Sequence, residues 1–260
     1  MIRSIAAYLF AAFIAVIPAA TAQVTVNISE GTLKPTPIAI PVFEADGADR
    51  QLATDITSVI QNDLLSTGLF SITPESAFIQ RDLSINSQPR FADWKIIQTD
   101  ALVVGEVDRV TIEGVEFIRA SVRLWDVYGE EVMRLEGQAG RRFTAKPEDW
   151  RRIAHKIADT VYARLTGEDP YFDSRIVYVA ETGPKDDRTK RLAIMDSDGA
   201  NVKYLTSGTF TVLTPRFSPS NQQITYMSYE NNRPRVYLFD IQSGRQEVLG
   251  NFQSMTFAPV

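Results

Sequence analysis

The sequence predicts an α+β domain, a mixed sheet with helices against it, followed by all-β propeller blades. Three observations lead there. Helical periodicity is strong from Asp49 to Thr67 and again after Pro147, then vanishes after Ser174. Strand-like segments are interleaved with those helices. Beyond Ser174, four short elements recur in the same order at a spacing of roughly 40–48 residues, the period of a propeller blade.

The first residues read as an export signal. Arg3 gives a positive start, and Ile5 to Ile17 is an uncharged apolar run that Pro18 breaks. Ala20-Thr21-Ala22 supplies the small residues that a signal peptidase requires, so cleavage is expected between Ala22 and Gln23. A run of about 13 residues is too short for a bilayer, which needs roughly 20. A lipid anchor at that point would need a cysteine, and the sequence has none. The mature chain is therefore expected in an exported compartment, with residues 1–22 removed.

The mature chain opens with alternation: Val24, Val26 and Ile28 against Gln23, Thr25 and Asn27. That is a half-buried strand pattern, which a chain terminus can add to a sheet edge. Ile38 to Phe43 reads as a second strand, with Pro41 marking an edge or an end. Asp49 to Thr67 places Leu52, Ile56, Val59, Ile60 and Leu64 on one helical face, and Gly68 stops the helix. Leu69 to Ile72 is a short strand. Phe91 to Gln98 is a short helix with Trp94 and Ile97 inward. Ala101 to Val107 is an apolar, central strand. Val115 to Val127 and Glu131 to Phe143 form an antiparallel pair around Tyr128-Gly129-Glu130. Pro147, Glu148 and Asp149 suit a helix N-terminus, and Trp150, Ile153, Ile157, Val161 and Leu165 form the apolar stripe before Gly167. Residues 23–167 are thus one domain, residues 168–174 a polar linker, and residues 175–260 the blades.

The repeat is specific. Ile176-Val177-Tyr178-Val179 returns as Ile224-Thr225-Tyr226-Met227, and Leu192 to Asp196 returns as Val236 to Asp240. Val202 to Leu205 returns as Gln246 to Leu249, and Pro215 to Pro219 as Met255 to Pro259. Closure of a propeller takes about four to eight blades, and only about two fit here, so the sequence is expected to be a fragment of a longer protein.

Composition narrows the function. A hydrophobic share of 44% and a charged share of 23% are those of a globular protein, and a net charge of −5 argues against nucleic acid as a partner. Without cysteine there is no thiol nucleophile or thiolate metal site. His155 is the single histidine. It falls off the apolar stripe and is expected at the surface or at the domain junction, without a catalytic role. No serine has a G-x-S-x-G setting. Asp196 to Asn201 resembles the start of a calcium loop but lacks the later ligands, and a hairpin turn explains it. Catalytic residues, metals and cofactors are accordingly not expected.

Three stretches carry a resemblance to a known family. They are Ala154-His155-Lys156-Ile157-Ala158-Asp159 with Arg164-Leu165-Thr166-Gly167-Glu168, and Phe172-Asp173-Ser174-Arg175-Ile176-Val177-Tyr178. With Pro215-Arg216-Phe217-Ser218-Pro219, they resemble the TolB family, the soluble periplasmic component of the Tol–Pal envelope system. Ser220-Asn221 departs from the Asp-Gly usual in such blades, and Asn221 tolerates the same turn. The resemblance covers the whole chain. It implies an N-terminal α/β domain, a six-bladed propeller of which this chain holds a part, and an adaptor role in outer-membrane integrity and constriction at division. It also implies two partners: TolA of the inner membrane, bound by the extreme N-terminus, and Pal, the outer-membrane lipoprotein, bound by the propeller. Carried onto this sequence, the TolA segment is Gln23, Val24, Thr25, Val26, Asn27, Ile28, Ser29 and Glu30. Membrane association is then indirect, through partners, and the protein is expected as a monomer. From another class, the alternative is the propeller part of an exported prolyl-oligopeptidase-like hydrolase; a carbohydrate-binding propeller is a third reading.

Overall fold

The computed structural model describes residues 34–218, 222–230 and 233–249. The export signal, the Ala22–Gln23 cleavage point, the strand pattern at Gln23 to Glu30 and the Met255 to Pro259 repeat lie outside the described residues.

The N-terminal sheet is mixed. Its strands are β1 (Thr36–Ala39), β2 (Phe70–Ile72), β3 (Ala101–Ile112), β4 (Val115–Asp126), β5 (Glu131–Met133) and β6 (Arg141–Ala145). The order is β2-β1-β3-β4-β5, with β6 also on β4; β1 runs parallel to both neighbours and the later pairs are antiparallel. Helices α1 (Arg50–Ser66) and α3 (Trp150–Thr166) cover one face. The short helix α2 (Phe91–Ile96) and the segment before it cover the other, where Phe78, Phe91, Trp94, Leu102 and Trp125 pack together.

Helix α1 shows which force sets these elements. Its N-cap Asp49 makes no side-chain capping bond, which forgoes about 1 kcal/mol. Ile56, Ile60 and Leu64 are fully buried, and each such side chain contributes about 1.5–3 kcal/mol. Packing therefore outweighs capping. Gly68 follows the helix at φ +70°, the left-handed conformation expected of it.

Three strand expectations are corrected. β1 ends at Ala39 and lies inside the sheet, not at an edge; Pro41 falls in the gap before Glu44, which rejoins β3 through bonds with Gly105 and Val107. β3 runs on to Ile112 and pairs along its whole length with β4 through the Glu113-Gly114 turn, where both residues have positive φ. Glu131 to Phe143 is not one strand. Leu135 and Gln138 exchange hydrogen bonds around Glu136 (φ +48°) and Gly137 (φ +81°), and this inner hairpin splits the segment into β5 and β6.

The blades follow. β7 (Arg175–Thr182), β8 (Thr189–Asp196) and β9 (Lys203–Tyr204) form one antiparallel sheet. β10 (Val212–Phe217), β11 (Gln223–Ser228), β12 (Arg235–Asp240) and β13 (Gln246–Val248) form the next. The internal repeat and the registers agree. Ile176 faces Met195 as Ile224 faces Phe239, Val179 faces Leu192 as Met227 faces Val236, and Ala193 faces Tyr204 as Tyr237 faces Val248. Leu192, Val212, Ile224, Tyr226, Tyr237 and Phe239 join in a core shared by the two sheets. This is a partial propeller, as the repeat predicted.

Candidate functional site

The polar side chains gather where α3 meets the first blade. Apolar residues on α3 face the sheet, but the helix also lies beside α1, so a second of its faces is covered. His155 is on that face. It is 2% exposed, and its Nδ1–H donates to the Asp63 carboxylate of α1 at 2.7 Å. The sequence placed His155 at the surface or the junction; it is at the junction and buried. Burial alone lowers its basicity, but the Asp63 hydrogen bond and charge, with Asp198 beyond, outweigh burial and leave the imidazole pKa above its usual value.

Arg151 reaches from α3 to the turn after β8. It donates to Asp198 and lies 3.7 Å from Asp196. That turn closes as a hairpin, with Gly199 at φ +86° donating to the Asp196 carbonyl.

The residues joining the two parts are pinned. Phe172 is 2% exposed and sits edge-on to Tyr162 at 5.6 Å. The backbone N–H groups of Phe172 and Asp173 donate to the Asp159 carboxylate at 2.7 and 3.1 Å. Burial raises the Asp159 pKa, and these two donors oppose the rise. Ser197 of the blade turn donates its hydroxyl to the Phe172 carbonyl and its N–H to the Ser174 carbonyl. Arg152 and Lys156 both pair with Asp173. The α/β domain and the first blade are thus joined by side-chain and backbone bonds on both sides of the connecting chain.

Sequence reading missed Asp63, Asp159, Arg151 and Asp198 as members of this cluster. One signal was present: Asp63 falls between Ile60 and Leu64, an acid next to the apolar stripe of α1. An acid there needs a partner, because an unpaired buried charge is strongly unfavourable. Among the described residues, no helix is long and apolar enough to cross a membrane.

Comparison with known proteins follows the same division. A family model described as the TolB amino-terminal domain matches residues 24–133, and one described as the TolB beta propeller domain matches residues 162–260. The chain is 50% identical over 263 residues to a Tol-Pal system protein TolB of Paramagnetospirillum magneticum, covering 98% of this chain and 56% of that protein. It is 48% identical over 262 residues to the protein of the same description from Pelagibacter ubique, covering 96% of this chain and 56% of that one. The chain spans about half the length of these curated relatives. A crystal structure of TolB from Acinetobacter baumannii superposes with a TM-score of 0.67 at 24% identity, covering 84% of this chain and 50% of that one, and supports the fold.

Proposed function

Because the chain belongs to the TolB family, matching its amino-terminal and propeller models in order, we propose that it serves as a non-catalytic periplasmic adaptor of the Tol–Pal system. In this reading Gln23 to Glu30 adds to a sheet of TolA, and the propeller carries the surface for Pal. The observation that bears most weight is the identity of 50% sustained across both domains with a Tol-Pal system protein. The alternating pattern of Gln23 to Ile28 supports strand addition. The pinned junction supports an adaptor in which one rigid connection relates two binding surfaces.

The test is a pull-down from solubilised envelopes with the natural full-length mature protein, with and without Gln23 to Glu30. TolA is expected only with the segment, and Pal in both cases. Recovery of neither protein would sink the adaptor reading.

A further inference from the structure

Among the described residues, His155 is satisfied at one nitrogen only. Nδ1 is committed to Asp63, while Nε2 is buried and has no hydrogen-bond partner among them. With Nδ1 taken, Nε2 is the nitrogen left for the carboxylates of Asp196 and Asp198, whose ligand atoms and that of His155 all lie within 4.8 Å of one another. We propose that His155 Nε2, Asp196 and Asp198 form a binding site for one divalent transition-metal cation of the zinc class, joining α3 to the first blade.

The chemistry of the donor set supports this. One imidazole with two carboxylates is a mixed nitrogen and oxygen set, which suits zinc better than the all-oxygen sets of calcium or magnesium. The Asp63–His155 bond is the carboxylate support that metal-bound imidazoles use to fix tautomer and ring orientation. The carboxylates are oriented as well. Asn201 Nδ2 donates to Asp196 Oδ2 at 2.6 Å, the Ala200 N–H donates to Asp198 Oδ1 at 3.0 Å, and Arg151 donates to Asp198 Oδ2. A carboxylate has room for about four such contacts, so these donors leave acceptor sites free. Charge points the same way: Asp63 on one side of His155 and Asp196 and Asp198 on the other carry three negative charges, against the one guanidinium of Arg151 that pairs with the two blade carboxylates among the described residues, a balance of two negative charges when His155 is neutral. Ligand atoms around zinc, at bonds of about 2.0–2.2 Å, stand about 3.3–3.6 Å apart. Closing the gap takes a movement of about 1 Å, which the exposed turn carrying Asp198 can supply. The calcium-loop pattern missed this set because its third ligand comes from another domain.

The probe is zinc sulfate, titrated by equilibrium dialysis into the metal-stripped, natural full-length protein. A parallel titration with cobalt(II) reads ligand-field bands. The expected result is one ion per chain, with affinity falling at least about tenfold in both His155→Gln and Asp198→Asn, and cobalt bands of a low-coordinate site lost in both variants. Asp198 sits on an exposed turn, so its variant keeps the test open if His155→Gln does not fold; circular dichroism checks each. No saturable uptake, or uptake equal in the wild type and Asp198→Asn, overturns the proposal.

Discussion

The Asp63 carboxylate of α1 accepts the Nδ1 hydrogen of His155 of α3 across 2.7 Å, with both side chains 3% exposed. The bond ties together two helices that are far apart in sequence. Removing one partner leaves a buried polar group unsatisfied. Asp63→Ala should lower stability by about 1–3 kcal/mol, and Asp63→Asn, whose amide oxygen can still accept, by distinctly less. Chemical denaturation of the full-length protein measures both. Equal losses would show that the hydrogen bond itself contributes nothing.

Gly105 leaves room for an aromatic ring. A β-carbon added there would stand 2.3 Å from Phe43 Cε2, too close for two carbons. Gly105→Ala should therefore destabilise by about 1–3 kcal/mol through overpacking. Phe43→Leu should be milder in combination with Gly105→Ala than in the wild type, and a double-mutant cycle on thermal unfolding reads the coupling.

Asp159 holds the connecting chain by the N–H groups of Phe172 and Asp173. Asp159→Ala should release both. Amide exchange at Phe172 and Asp173 should quicken at least about tenfold, as expected from the loss of about 1.4 kcal/mol or more of local protection. Exchange in the middle of β3 should be unaffected. Unchanged rates at Phe172 would refute the pinning.

Tyr237 supplies a pH dependence. Burial first, then the hydrogen bond it donates to Glu230 and the charge of that carboxylate, push its phenol from 10.0 up to about 12. Between these values the folded protein holds a proton that the unfolded chain has lost. Stability from this group is complete below about pH 10 and is lost as pH rises through about 12. Tyr226 shifts in the same direction by burial and by its neighbours Tyr237 and Glu230. Denaturation midpoints should fall across that interval, and Tyr237→Phe should flatten the fall. A fall of the same size in Tyr237→Phe would assign the effect to other groups.

Much of the fold was legible in local pattern. Helix α1 was readable because Ile56, Ile60 and Leu64 recur at helical spacing and Gly68 follows, and the two blade hairpins because Ile176 and Ile224 begin the same run. The inner Glu136-Gly137 hairpin was harder to see, since Met133, Leu135 and Phe143 keep a strand-like alternation on either side of it.

The sequence alone determined the order of elements, the apolar face of each helix, the blade repeat and the family. These follow from chemistry repeated at short range, where periods of two and of 3.6 residues decide which side chains share a face. Tertiary structure decided that β1 lies inside the sheet, that Glu131 to Phe143 is broken, and that His155 is buried between Asp63 and the blade turn. A sequence period shows which face of α3 is apolar. It cannot show that a second, more polar face will be covered by α1 and the first blade, because that burial arises from contacts between segments far apart in the chain.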